Sequence, residues 1–200
     1  MSTIRIISGR YKGKTIPFEN RKFNDADITM QKVKEALFDI LGELEGAIFL
    51  DLFGGSGQIA FEALSRGASQ VIISENEGSR FKFISSFASF LPDSSSVMLL
   101  NMPAFYAMKL ISKRGIVPNY IFADPPYDKK GTGLKLYESI ITNIEKYSVA
   151  NQSTELIFQH FTKNVLHEFM GSFQKHKERQ YGATTLSFYR LTESKEKPDN

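Results

Sequence analysis

The chain has 200 residues, 42% hydrophobic and 24% charged, the size and balance of one globular domain with a small appendage, which argues against wholesale disorder. It contains no cysteine, which excludes a disulfide framework, a thiolate metal site and a cysteine nucleophile; its three histidines, His160, His167 and His176, lack the spacing of a helical metal motif, so no metal is expected. The net charge of +3, from 25 basic and 22 acidic residues, names no partner by itself.

Charge is nevertheless uneven along the chain: Arg5, Arg10, Lys12 and Lys14 fall in the first fourteen residues with no acidic residue among them. Met1 to Gly9 has no basic region followed by an apolar stretch, and no apolar run approaches the ~20 residues needed to span a bilayer, so a cytoplasmic protein is expected. Ile4 to Ser8 and Thr15 to Phe18 read as two short strands, joined by Gly9-Arg10-Tyr11-Lys12-Gly13, whose glycines can supply unusual backbone angles. A polar loop follows over Asn20 to Asp27. Thr29 is expected to cap a helix, in which Val33, Leu37, Ile40 and Leu41 recur at helical spacing. Gly42 and Gly46 bracket its end, which places an extension over 1–43, a main domain over 44–191 and a frayed tail over 192–200.

From Ala47 the character changes. The runs Ala47 to Leu52, Val71 to Ile73, Val97 to Leu100, Tyr120 to Ala123 and Glu155 to Phe158 are nearly continuously apolar, as in strands buried on both faces. Helical stretches separate them: Ile59 to Arg66, Ser79 to Phe90, Ala104 to Ser112 and Leu134 to Tyr147. This alternation predicts an α/β fold with crossover connections and a parallel sheet covered on both sides. Phe173 to Arg179 and Thr184 to Arg190, around Gly182, read as a closing hairpin that adds an antiparallel strand.

Asp51-Leu52-Phe53-Gly54-Gly55-Ser56-Gly57 stands between the first buried strand and a helix, where open α/β sheets bind ligands and glycines let backbone approach them. Glu75, with Asn76 after it, ends the second strand, where a carboxylate can accept hydrogen bonds from both ribose hydroxyls. Gly55 to Ala60 also fits a dinucleotide pattern, but the Asp51 carboxylate beside the loop repels a pyrophosphate. It attracts the cationic amino-acid end of S-adenosylmethionine, which is therefore the expected cofactor, with Phe53 to Gly57, Asp51, Glu75, Asn76 and Asn101 as its candidate contacts.

Asp124-Pro125-Pro126-Tyr127 follows the fourth strand on the same rim. An exocyclic amino nitrogen on guanine, adenine or cytosine is a poor nucleophile because its lone pair is spread into the ring. Acceptors aimed at its two N–H groups help it pyramidalise. The Asp124 carboxylate and the Pro125 carbonyl can serve, and two prolines hold them rigidly. Tyr127 offers a face for a displaced base. These four are the candidate catalytic residues for amino-directed methylation, in which proximity and alignment carry most of the rate.

Four segments resemble the RsmD family of bacterial 16S rRNA guanine-N2 methyltransferases: Arg5 to Gly13, Val33 to Leu41, Leu50 to Gly57 with Glu62 to Ala68, and Tyr181 to Tyr189. The resemblance implies a Rossmann-like class I methyltransferase fold, with a seven-stranded, mostly parallel sheet whose last strand is antiparallel, and an N-terminal β-hairpin and helix. It implies S-adenosylmethionine as donor and 16S rRNA as partner, in the small ribosomal subunit or its assembly intermediate; a monomer is expected. It also brings Arg5, Arg10, Lys12, Lys14 and Thr29 toward RNA, with Tyr11 stacking on a base. Two positions depart from the family. Asp27 stands where it has a basic residue, and Asn101 where it has an aspartate suited to the adenine amino group. The alternatives are a DNA adenine or cytosine amino-methyltransferase, for which 200 residues leave no room for a large target-recognition domain, and a catalytically weakened RNA-binding homologue.

Overall fold

The computed structural model describes residues 4–16, 26–126 and 134–192, and for residues 26–30 the backbone alone. The N-terminal hairpin is built of two short strands, β1 (Ile4–Arg5) and β2 (Thr15–Ile16), paired antiparallel. Helix α1 (Ala26–Leu41) follows. It begins three residues before Thr29, so Thr29 lies inside its first turn and is not its cap. The expectation of a frayed tail falls, but for Thr192, on residues outside those described.

After α1 the chain alternates: β3 (Ile48–Asp51), α2 (Gln58–Ser65), β4 (Gln70–Ser74), α3 (Gly78–Ser89), β5 (Val97–Leu100), α4 (Ala104–Lys113), β6 (Tyr120–Ala123), α5 (Leu134–Lys146) and β7 (Glu155–Phe161). β3 to β7 are mutually parallel where they pair. Each strand offers apolar side chains to both faces, so burial drives the sheet from two sides. Phe49, Val71, Ile73, Phe122 and Ile157 enter one core cluster with α2 and the N-terminal hairpin. Leu50, Ile72, Ile121, Leu156 and Phe158 enter the other with α4 and α5.

The closing elements are β8 (Phe169–Met170), β9 (Phe173–Tyr181) and β10 (Thr184–Leu191). The sheet order is β5-β4-β3-β6-β7-β10-β9-β8, with β10 antiparallel to both of its neighbours. The sheet therefore has eight strands where seven were expected. The additional one, β8, is a two-residue edge that pairs with β9, too short to show any alternation in sequence.

The hairpin docks on the end of α2 through groups that leave little room for other residues. The backbone N–H groups of Ile7 and Ser8 donate to the buried Glu62 carboxylate at 2.8 and 3.0 Å. Arg10 N–H donates to the Ser65 carbonyl at 2.8 Å, and Tyr11 N–H to Ser65 Oγ at 2.9 Å. Gly9 has φ +77°, and a Cβ there would lie 1.8 Å from the Ser65 carbonyl oxygen. Lys34, fully buried, bridges Glu62 at 3.6 Å and the Arg5 carbonyl at 2.6 Å. Burial pushes the Lys34 ammonium below its ordinary range, and Glu62 opposes that shift.

Candidate active site

In the sheet order the chain leaves β3 outward through β4 to β5, then returns to the other side of β3 as β6 and β7. Loops at the carboxyl ends of β3 and β6 therefore diverge, which opens a crevice between them. A cavity of about 870 Å³ occupies that crevice, within the usual range for small-molecule sites. Its wall is assembled strand by strand: Leu52, Phe53 and Gly55 after β3; Ser74 ending β4, with Glu75, Asn76, Glu77 and Arg80 after it; Met102, Pro103 and Ala104 after β5; Asp124, Pro125 and Pro126 after β6; Gln159 on β7; and Thr184 opening β10.

Of the expected cofactor contacts, Phe53, Gly55, Glu75 and Asn76 line this cavity. Glu75 is 8% exposed and ties the glycine loop to β4. Its Oε2 accepts from Gly55 N–H at 2.8 Å, and its Oε1 from Glu77 N–H at 2.7 Å. Each carboxylate oxygen keeps a further lone pair for a hydroxyl. Glu77 in turn caps α3, accepting from the N–H groups of Ser79 and Arg80, both at 2.9 Å. Hydrogen bonds led by the Ser79 hydroxyl hold its carboxyl down at about 2.

Gly54, Ser56 and Gly57 do not line the cavity but shape the loop. A Cβ on Gly54 would sit 2.4 Å from Ile73 Cγ2; one on Gly57, at φ +76°, would sit 2.6 Å from the Phe61 ring. Asp51 lies beneath the loop, fully buried, with Oδ1 accepting from Phe53 N–H at 3.1 Å. Burial, aided by the charge of Glu75, pushes its carboxyl up to about 7 against that hydrogen bond. Asn101 stands outside the wall. Its exposed amide donates from Nδ2 to the Glu75 carbonyl at 2.8 Å, a brace on the β4 loop that leaves Oδ1 as an acceptor. Met102, Pro103 and Ala104 line the cavity instead.

Asp124 is the centre of the opposite wall. Burial pushes its carboxyl up to about 8, reinforced by the charge of Asp51, while Gln159 Nε2 donates to its Oδ2 at 2.7 Å and favours the ionised form. Pro125 is buried and Pro126 exposed, both on the wall; Tyr127 lies outside the described residues. Gln159 and Thr184 were not foreseen. The signal for Gln159 was present: a polar residue near the end of the apolar β7, in the strand that pairs with β6.

The basic turn is only partly free. Tyr11 is 5% exposed and its hydroxyl donates to Asp93 Oδ2 at 2.6 Å, so it is a core residue and its expected stacking on a base is ruled out. Arg10 pairs with the same Asp93. Arg5, Lys12 and Lys14 are exposed; for Thr29 only the backbone is described.

Residues 4–190 match the family model described as Conserved hypothetical protein 95. The chain is 28% identical to the Bacillus subtilis protein named "Putative rRNA methyltransferase YlbH" over 188 residues, 94% of this chain and 98% of that one. It is 27% identical to the Escherichia coli protein named "Ribosomal RNA small subunit methyltransferase D", over 93% of this chain and 89% of that one. The chain belongs to the RsmD family. The solved structure titled "Putative methyltransferase yhhF from Escherichia coli" superposes with a TM-score of 0.78 at 24% identity, covering 96% of this chain and all of that one, and it shares the class I methyltransferase fold.

The donor set of an RsmD-family site fits S-adenosylmethionine. Glu75 offers oxygen lone pairs for ribose hydroxyls, buried carboxyls suit a cation, and Phe53, Met102 and Pro103 supply apolar wall for a purine. Among the described residues no three His, Cys, Asp or Glu side chains gather as a metal set, and no helix is long and apolar enough to cross a membrane.

Proposed function

We propose that this RsmD-family chain transfers a methyl group from S-adenosylmethionine to the exocyclic N2 amino group of a guanine in 16S rRNA, presented by the small ribosomal subunit or its assembly intermediate. The observation that carries the reading is that one cavity holds Gly55 and Glu75 on one side and Asp124-Pro125 on the other. The names of the relatives supply the RNA class.

S-adenosylmethionine supplies an electrophilic methyl group on a sulfonium. The chain's residues do the rest. Gly55 and Glu75 hold the nucleoside, and Asp51 stabilises positive charge from beneath the loop. Asp124 accepts one N–H of the target amino group, and the Pro125 carbonyl accepts the other. Holding both N–H groups directs the nitrogen lone pair at the methyl carbon, which is catalysis by preorganised electrostatics and alignment. As the C–N bond forms, the nitrogen becomes cationic and sheds a proton. Asp124, with its carboxyl near 8, can receive it. Arg5, Lys12 and Lys14 contact RNA phosphates away from the cavity, on the hairpin docked at the far end of α2.

Methylation of undermodified small ribosomal subunits beside duplex DNA tests the substrate class. Label in rRNA is expected; label in DNA alone would refute it.

A further inference from the structure

Gln159 reaches the site by register. The last paired residues of β6 and β7 are Ala123 and Phe158, so Asp124 and Gln159 are the next step of the same ladder. Gln159 is 6% exposed, lines the cavity, and donates from Nε2 to Asp124 Oδ2 at 2.7 Å. A carboxylate only accepts, so it fixes which end of the amide faces it, and the amide oxygen is left over. Among the described residues nothing donates to that oxygen. A largely buried acceptor therefore stands beside the acceptor for the target amino group.

The chemistry of bases gives that pair a meaning. The amino group of guanine is flanked by N1–H, a donor. The amino groups of adenine and cytosine are flanked by a bare ring nitrogen, an acceptor. A carboxylate and an amide oxygen side by side match two donors side by side, as only guanine presents them. They oppose the donor–acceptor edge of the other two bases.

We propose that Gln159 is the guanine-selecting residue: Nε2 anchors Asp124, and Oε1 accepts the N1–H of the target. This inference rests on the guanine-N2 reading above. Its alternative is that Gln159 merely holds Asp124 in place.

The two separate on a substrate in which the target guanosine is replaced by 2-aminopurine riboside, which keeps the amino group but has an unprotonated N1. The wild-type protein should favour guanine by at least about tenfold in kcat/KM, since a site built to bond an N–H rejects an analogue lacking it. Gln159→Leu should slow guanine methylation and bring the ratio near one, with S-adenosylhomocysteine binding retained by calorimetry as the check on folding. A Gln159→Leu protein that slows both substrates equally, or keeps the wild-type ratio, would overturn the selecting role while leaving guanine methylation standing. A wild-type protein that leaves guanine unmethylated would overturn both.

Discussion

Asp124 carries a carboxyl pushed up to about 8 by burial and by the neighbouring Asp51. As an acceptor it must be ionised, so kcat/KM should rise with pH through a value well above the ordinary carboxylate range and level off beyond it. A profile that is flat from pH 6 to 9 would contradict its role. Stability should run the other way. A carboxyl whose folded pKa is raised favours folding below its unfolded value near 4, and that contribution is lost as pH rises through about 8. Asp124→Asn should therefore melt at a higher temperature than wild type at pH 9, with the advantage shrinking toward pH 5. Asp124→Ala should lower turnover by about a hundredfold or more while S-adenosylmethionine binding by calorimetry changes little. At this scale the sequence placed residues well where position follows from the strand before them. Asp124 and Glu75 stand on the cavity wall, because a residue that follows a buried parallel strand emerges on the ligand rim. It was read poorly where an aromatic side chain finds a partner far along the chain: Tyr11 is buried with its hydroxyl bonded to Asp93.

Four of the five apolar runs match their strands to within a residue at each end, since burial on two faces leaves few polar positions to blur a boundary; β7 runs three residues past its apolar run, through Gln159 and His160. The N-terminal hairpin was legible as an element but not as an attachment. Its glycines suggested a turn; what Gly9 does is let backbone lie against the Ser65 carbonyl. Gly9→Ala should cost on the order of 2 kcal/mol or more, because it meets both a left-handed φ and a backbone clash. Denaturant unfolding should show a lower midpoint, and an unchanged midpoint would mean the hairpin is not docked on α2. The buried Lys34–Glu62 pair was likewise hidden, its members 28 residues apart on two helices that only the fold brings together.

For the molecule as a whole, topology locates the site: the order β4-β3-β6-β7 opens one crevice, and both signature motifs end in it. The hairpin adds a basic surface whose proposed partner is RNA. Lys12→Glu with Lys14→Glu should weaken RNA binding and flatten its dependence on salt; an unchanged affinity would return the turn to ordinary surface. The central claim, amino-directed methylation of an rRNA guanine in this cavity, is tested most directly by nucleoside analysis of undermodified small ribosomal subunits after incubation with the protein and isotope-labelled S-adenosylmethionine. The account predicts label in N2-methylguanosine with wild type and about a hundredfold less, or none, with Asp124→Ala. Label in a methylated adenosine or cytidine, or equal label with the variant, would contradict it.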